Sequence, residues 1–230
     1  MTQNDLTVFR ERLASDWLPS FCEAPHRNYP LEGFKPESIE KLSAHDAHWF
    51  IKAIELNLVS QQHGCFIAPL SQAKEQIFWE GSKNTNPRPI TLWLEPVITI
   101  GALAVLHETY GWPEDKLGAQ SKTWAFDLVG YGNTAEEESM VCEVKKTKAE
   151  VDTLIALMKN YTNTNMEEIP PNGKERNAYK KVIGIRTTWP RLFWALGPAG
   201  YGYLYHVKRS GEYQFELIEC GMDYLHFQQN

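Results

Sequence analysis

The sequence predicts an α/β fold built as a single domain over residues 1–230, and three observations carry that expectation. Apolar residues recur at three- and four-residue spacing in several stretches, including Leu6, Phe9, Leu13, Trp17 and Leu18, and Val97, Ile100, Leu103 and Ala104. Between and after them lie short apolar runs of strand length, Trp124–Tyr131, Ser139–Lys146 and Arg191–Leu196. The chain has 230 residues, 43% of them hydrophobic and 12% aromatic, which suits one sizeable core.

Taken in order, residues 1–90 read as a helical N-terminal elaboration. A first helix carries Leu6 to Leu18 and is expected to stop at Pro19, because proline has no N–H to continue it. Pro25 to Pro36 is loop-like, with three prolines and Gly33, and Pro36-Glu-Ser-Ile opens a second helix. A third starts at Ser43, with Asp46 three residues on as a weak capping box, and its apolar positions are Ala47, Phe50, Ile51, Ile54 and Leu58. Residues 60–90 are mixed, Gly81 to Pro89 is a surface loop, and Ile90 to Leu94 is a short strand or an extended lead-in.

Residues 95–197 form the core. Glu95-Pro96 resembles a helix start, since proline suits the first turn, and Gly111 with Pro113 ends that helix after Tyr110. Lys116 to Lys122 is a candidate strand, and Trp124–Tyr131 and Ser139–Lys146 are stronger ones, joined by a polar turn from Gly132 to Glu138. Lys148 to Tyr161 is an amphipathic helix, Asn163 to Gly173 a loop, Glu175 to Ile185 a helix and Arg191–Leu196 a strand ended by Gly197-Pro198. Residues 198–230 read as a C-terminal hairpin, Tyr203–Val207 and Tyr213–Ile218, around Arg209-Ser210-Gly211.

Composition narrows the function classes. No run approaches the ~18 apolar residues of a membrane span, and the N-terminus lacks the basic start and apolar stretch of a signal peptide. A soluble, intracellular (cytoplasmic) protein is expected. The four cysteines, Cys22, Cys65, Cys142 and Cys220, form no Cys-x-x-Cys pair, so free thiols are expected rather than disulfides or zinc. His45 and His48 lie at helical spacing without a third ligand. No phosphate-binding glycine loop and no triad motif is present. A net charge of -6 argues against coating nucleic acid through a broad basic face. The C-terminal aromatics, Trp189, Phe193, Trp194, Tyr201, Tyr203 and Tyr205, suit core packing and cross-strand pairs better than base stacking.

Charge inside apolar runs is the informative feature. Asp127 interrupts Trp124–Tyr131, and Glu143-Val144-Lys145 interrupts Ser139–Lys146. Residues two apart on a strand share a face, so Glu143 and Lys145 do, and an antiparallel pairing of the two runs brings Asp127 near Glu143. Two close carboxylates repel one another, and a divalent cation resolves the conflict; Mg²⁺ prefers carboxylate and water oxygens. A bound ion of this kind polarises a phosphate and activates a water, chemistry suited to phosphodiester hydrolysis.

The constellation resembles the PD-(D/E)xK, or restriction-endonuclease-like, nuclease superfamily. Asp127 stands for the motif's Asp and Glu143-Val144-Lys145 for its Glu-x-Lys, while Phe126 stands where many members have a proline. The order helix, three strands, helix, strand also matches, over about 100 residues, and implies a mixed four-stranded sheet flanked by helices. The resemblance implies a Mg²⁺-dependent endonuclease, with Mn²⁺ as a substitute, acting on nucleic acid and on DNA in particular. It suggests restriction, anti-phage defence, repair or mobile-element processing. It gives Asp127 and Glu143 as metal ligands, Lys145 as the residue assisting the attacking water, and Glu95 as an auxiliary ligand. Gln120 is a weaker candidate for a polar contact, and Lys146 and Lys148 extend Lys145 into a phosphate-contacting strip.

Other readings of the same residues stay open. Asp127, Glu143 and Lys145 also suit a cross-strand salt bridge on a solvated sheet face, and Lys146 and Lys148 suit solvated charge at a helix start. At the level of function, the alternatives are a catalytically inactive nuclease-like assembly module working through protein partners, and an acidic nucleic-acid mimic. A homodimer would supply two sites for the two strands of a duplex.

Overall fold

The N-terminal helix does not stop at Pro19. In the computed structural model, which describes residues 3–123, 125–134, 137–163, 169–170 and 172–228, helix α1 (Gln3–Arg12) runs into a widened π turn over Leu13–Trp17 and on into α2 (Leu18–Cys22). A proline ring clashes with the carbonyl four residues back in a regular helix; the π turn, closed by Leu18 N–H on Leu13 O, opens the backbone at that point. The reward is a continuous apolar stripe, Phe9, Leu13, Trp17 and Phe21, all at most 1% exposed. Pro36–Lys41 is a short 3₁₀ segment rather than the expected helix, tied down by Lys35 N–H on Ile90 O and Leu92 N–H on the Ser38 hydroxyl. Helix α3 (Ala44–Glu55) starts at Ser43, whose side chain accepts from the Asp46 N–H.

Two small antiparallel units follow. Strands β1 (Ser60–Gln62), β2 (Cys65–Ile67) and β3 (Glu75–Gln76) form one, and β4 (Phe78–Glu80) with β5 (Ile90–Leu92) form the other. Helix α4 (Leu94–Tyr110) then passes through the middle of the molecule, buried on nearly all sides. Gly111, at φ 70°, ends it in a left-handed cap whose N–H returns to His107 O. A Cβ on Gly101 would stand 3.1 Å from Trp49 Cβ, so the glycine is what lets α3 and α4 pack backbone to backbone.

The main sheet contains β6 (Leu117–Ala119), β7 (Leu128–Tyr131) and β8 (Glu138–Val144) as an antiparallel meander. Helices α5 (Lys148–Tyr161) and α6 (Lys174–Thr188) carry the chain across to β9 (Leu192–Leu196), which lies parallel to β8. The hairpin β10 (Gly202–Arg209) and β11 (Phe215–Cys220) then extends the same sheet, giving the order β11-β10-β9-β8-β7-β6. The expected hairpin is present, and it adds two strands to the four expected in the core sheet. Leu204 and Tyr205 are both 1% exposed, and pairing β10 onto β9 is what buries them.

Strand alternation divides the core in two. Met140, Cys142 and Val144 of β8 face the N-terminal helices and α4, and Val141 faces α5 and α6 together with Val129 and Phe193. One sheet edge is closed: the Ala119 N–H donates to the Ser71 hydroxyl (2.8 Å) and Ala119 O accepts from the Gln72 N–H (3.1 Å). Strand β6 is accordingly shorter than the expected Lys116–Lys122. The expected strand start at Trp124, part of the Gly132–Glu138 turn and much of the Asn163–Gly173 loop lie outside the described residues. The four cysteines are free thiols, and burial pushes that of Cys142 well above its usual range. Among the described residues no helix is long and apolar enough to cross a membrane.

Candidate active site

Asp127 sits one residue before β7, where the chain has not yet entered regular strand geometry, an environment aspartate tolerates better than a strand interior. Its backbone nevertheless follows the ladder, with its N–H on Cys142 O at 3.0 Å. The register Leu128↔Cys142 therefore places Asp127 opposite Glu143. The Asp127 carboxylate is fixed by the Val144 N–H, which donates to Oδ2 at 2.8 Å. Lys145 continues the line of β8 beyond the last strand residue, its N–H on Leu196 O at 2.8 Å. The three residues singled out in the sequence thus converge at one end of the sheet, on the side covered by α5 and α6.

The surroundings do not fit a solvated ion pair. Glu143 is 3% exposed. Its Oε1 accepts from Lys145 Nζ at 2.5 Å, and its Oε2 lies 2.5 Å from Lys181 Nζ without an aligned hydrogen bond. Lys181, on α6, also donates to Ala125 O and lies over the Phe126 ring. One buried carboxylate is therefore clamped between two ammonium groups.

Asp127 has no such partner. Burial first, then the negative charge of Glu143, push its carboxyl up to about 8; Lys181, Lys145 and the Val144 N–H pull the other way and do not prevail. Burial depresses the Lys145 ammonium, but the attraction of Glu143, Asp127 and Glu95 outweighs it, so its pKa is raised and the group stays protonated at neutral pH.

Two carboxylates side by side, one with its proton held only by mutual repulsion and burial, are hard oxygen donors of the kind Mg²⁺ takes one or two of while keeping its waters. Asp127 and Glu143 are the donor types such an ion takes, but both Glu143 oxygens already lie 2.5 Å from an ammonium group. A third protein ligand is not assembled: among the described residues no three His, Cys, Asp or Glu side chains come together as a metal cluster.

Glu95 opens α4 and spends Oε2 on the Trp93 indole N–H at 3.0 Å, close enough to Lys145 and Glu75 to affect both electrostatically. Gln120, at φ 59°, pairs its backbone N–H with Asp127 O but turns its side-chain amide to Glu75 Oε1 at 3.0 Å. Lys146 is exposed and within 3.8 Å of Glu150, and Lys148 lies over the Tyr201 ring. Neither lines the hollow into which Glu143 opens.

That hollow, of about 820 Å³, is lined by Glu143 and Lys145 on the sheet and by Arg176, Lys180 and Lys181 on α6. The basic strip beside the carboxylates thus comes from α6, not from the Lys145–Lys148 run. Gly184 makes the approach feasible: a Cβ there would stand 2.6 Å from Ala125 Cβ, so only glycine lets α6 lie against the segment leading to Asp127. Lys181 and the buried Glu75 were not picked out from sequence. The available signal was the Arg176, Lys180, Ile183 and Thr187 row at helical spacing, which lines one side of the hollow. No family model, curated protein or solved structure matches the chain, so the geometry of Asp127, Glu143, Lys145 and Lys181 is what a functional reading stands on.

Proposed function

We propose that the chain is a Mg²⁺-dependent nuclease that hydrolyses phosphodiester bonds, with DNA as its substrate and a restriction-endonuclease-like core formed by α4, β6–β8, α5 and β9. The observation that carries this reading is the register of Asp127 against Glu143, with Lys145 next along the same face and an open cationic hollow beside them. The order α4–β6–β7–β8–α5–α6–β9, with β8 and β9 parallel and α6 added to the crossover, supports it.

In this reading Asp127 and Glu143 hold the ion, and Mn²⁺ can replace Mg²⁺. The bound ion would polarise the scissile phosphate and lower the pKa of a water. Lys145, protonated at neutral pH, acts as a cation that orients the attacking water or steadies charge on the phosphoryl oxygens, rather than as a base. Lys181 holds the Glu143 side chain from α6. Arg176 and Lys180 hold backbone phosphates along the hollow. Asp127 must lose its proton to become a ligand, so metal uptake and deprotonation are one linked event.

A second reading has one observation in its favour. Glu143 is already balanced by two lysines, so the site is tolerable without a cation, as in a nuclease-like module that only binds partners. Cleavage of plasmid, linear and single-stranded DNA and of RNA with Mg²⁺ or Mn²⁺, comparing wild type with Asp127→Ala and Lys145→Ala, separates the two. The nuclease reading expects loss of activity in both variants, by about 10²-fold or more. Equal activity in all three proteins, or no binding of either ion by calorimetry, would sink it.

A further inference from the structure

A second hollow, of about 420 Å³, lies on the other side of the same strand end. It is lined by Trp79, Trp93, Glu95, Lys41 and Lys146, among others. Successive residues beyond β8 divide between the two hollows: Lys145 lines the one on the α6 side, Lys146 the one with the two indoles. Trp79 projects from β4 between Phe78, which is fully buried, and Glu80, which is held by Arg27 and Arg88. It is 56% exposed, although this large apolar ring occupies an outward strand position where a polar residue costs nothing. Trp93 braces it edge to face, with ring centroids 5.2 Å apart, and is itself held by its N–H on Glu95. The arrangement is a rigid aromatic platform with two lysines beside it, a combination that suits a base stacked on an indole and a phosphodiester along its rim.

We infer that Trp79 and Trp93 form a stacking platform for an unpaired strand of DNA, which runs from the Arg176–Lys180–Lys181 hollow past Lys145 and over Lys41 and Lys146. A duplex keeps its base faces covered and cannot use the platform, so the inference assigns single-stranded DNA, or a frayed or flapped end, as the bound form. The identity of the ligand as a nucleic-acid strand rests on the nuclease reading above; the placement of the platform rests on the two indoles and the lysines.

Fluorescence anisotropy with a short labelled deoxythymidine oligonucleotide, in chelator so that nothing is cut, tests it on the full chain. Trp79→Ala, at an exposed site, is expected to weaken binding about tenfold, Trp79→Phe to keep most of the affinity, and neither to alter binding of a blunt duplex. Equal affinity of wild type and Trp79→Ala for the single strand would overturn the platform, as would equal loss on single strand and duplex, or tighter binding of the matching ribo-oligonucleotide. The two proposals fail separately. Cleavage with Mg²⁺ but no effect of Trp79→Ala on binding removes the platform alone. Trp79-dependent binding with no cleavage under any metal removes the catalytic reading and leaves the platform.

Discussion

The raised pKa of Asp127 gives a prediction that needs no substrate. Asp127→Asn keeps an oxygen for the Val144 N–H and removes the charge that Glu143 opposes. A folded-state value above the unfolded one means the folded chain binds more protons, so this group lowers stability as pH rises between 3.8 and about 8, and the loss is complete above that window. The shift from 3.8 to about 8 corresponds to on the order of 6 kcal/mol at about 1.4 kcal/mol per unit. Solvent access to the half-buried carboxyl screens part of it, leaving about 2–4 kcal/mol. Urea unfolding followed by tryptophan fluorescence, in chelator, should therefore show the variant ahead by only about 1 kcal/mol at pH 5. At pH 9 the variant should be more stable by about 2–4 kcal/mol, or on the order of 10 °C in Tm. Burial also raises Glu75 and Glu138, but both are common to the two proteins and cancel in the difference. A gap that is the same at pH 5 and pH 9 would refute the argument. Mg²⁺ added to wild type at pH 7 should release a proton, seen as a buffer-dependent binding enthalpy, and should narrow the gap.

Three further outcomes follow from the same geometry. Lys181→Met leaves the buried Glu143 with only Lys145, at a cost of about 3–5 kcal/mol; adding Glu143→Gln should recover part of it, and a loss under about 1 kcal/mol would mean that Glu143 is hydrated. Gly184→Ala forces a methyl group to within 2.6 Å of Ala125 Cβ and 2.9 Å of the Phe126 ring, which should cost about 1–3 kcal/mol in denaturation and be relieved in part by Ala125→Gly. Replacing Arg176 and Lys180 together by alanine should weaken DNA binding and lower the slope of log K against log salt by about 1.5–2; an unchanged slope would show that the α6 hollow does not hold phosphates.

Local signals in the sequence located the two carboxylates but not everything that surrounds them. Helix α4 carries Glu95-Pro96 in its first turn and is capped by Gly111 because proline and glycine act at single residues. Likewise, Asp127 opposite Glu143 follows from two apolar runs joined by one turn. Lys181 was not legible, because its role depends on how α6 docks after a long crossover, and a lysine on a helix is ordinarily solvated. The clue to that docking is Gly184, which reads as a neutral helix residue until Ala125 is seen against it. Pro19 misled for a related reason: the penalty of a helical proline is real, but a π turn removes the clash, and the burial of Phe9, Leu13, Trp17 and Phe21 favours that solution. The hairpin joined the sheet because Leu204 and Tyr205 needed covering, which strand periodicity alone does not reveal.

The sealing of β6 by Ser71 and Gln72 also bears on assembly. With that rim occupied, the sheet can be lengthened by another chain only along β11. There Glu216 and Glu219 lie exposed, and a twin strand arriving antiparallel would bring like charges together. On the proposed nuclease reading, two molecules acting on opposite strands of a duplex would meet that repulsion if joined through a continuous sheet. Meeting through helices would avoid it.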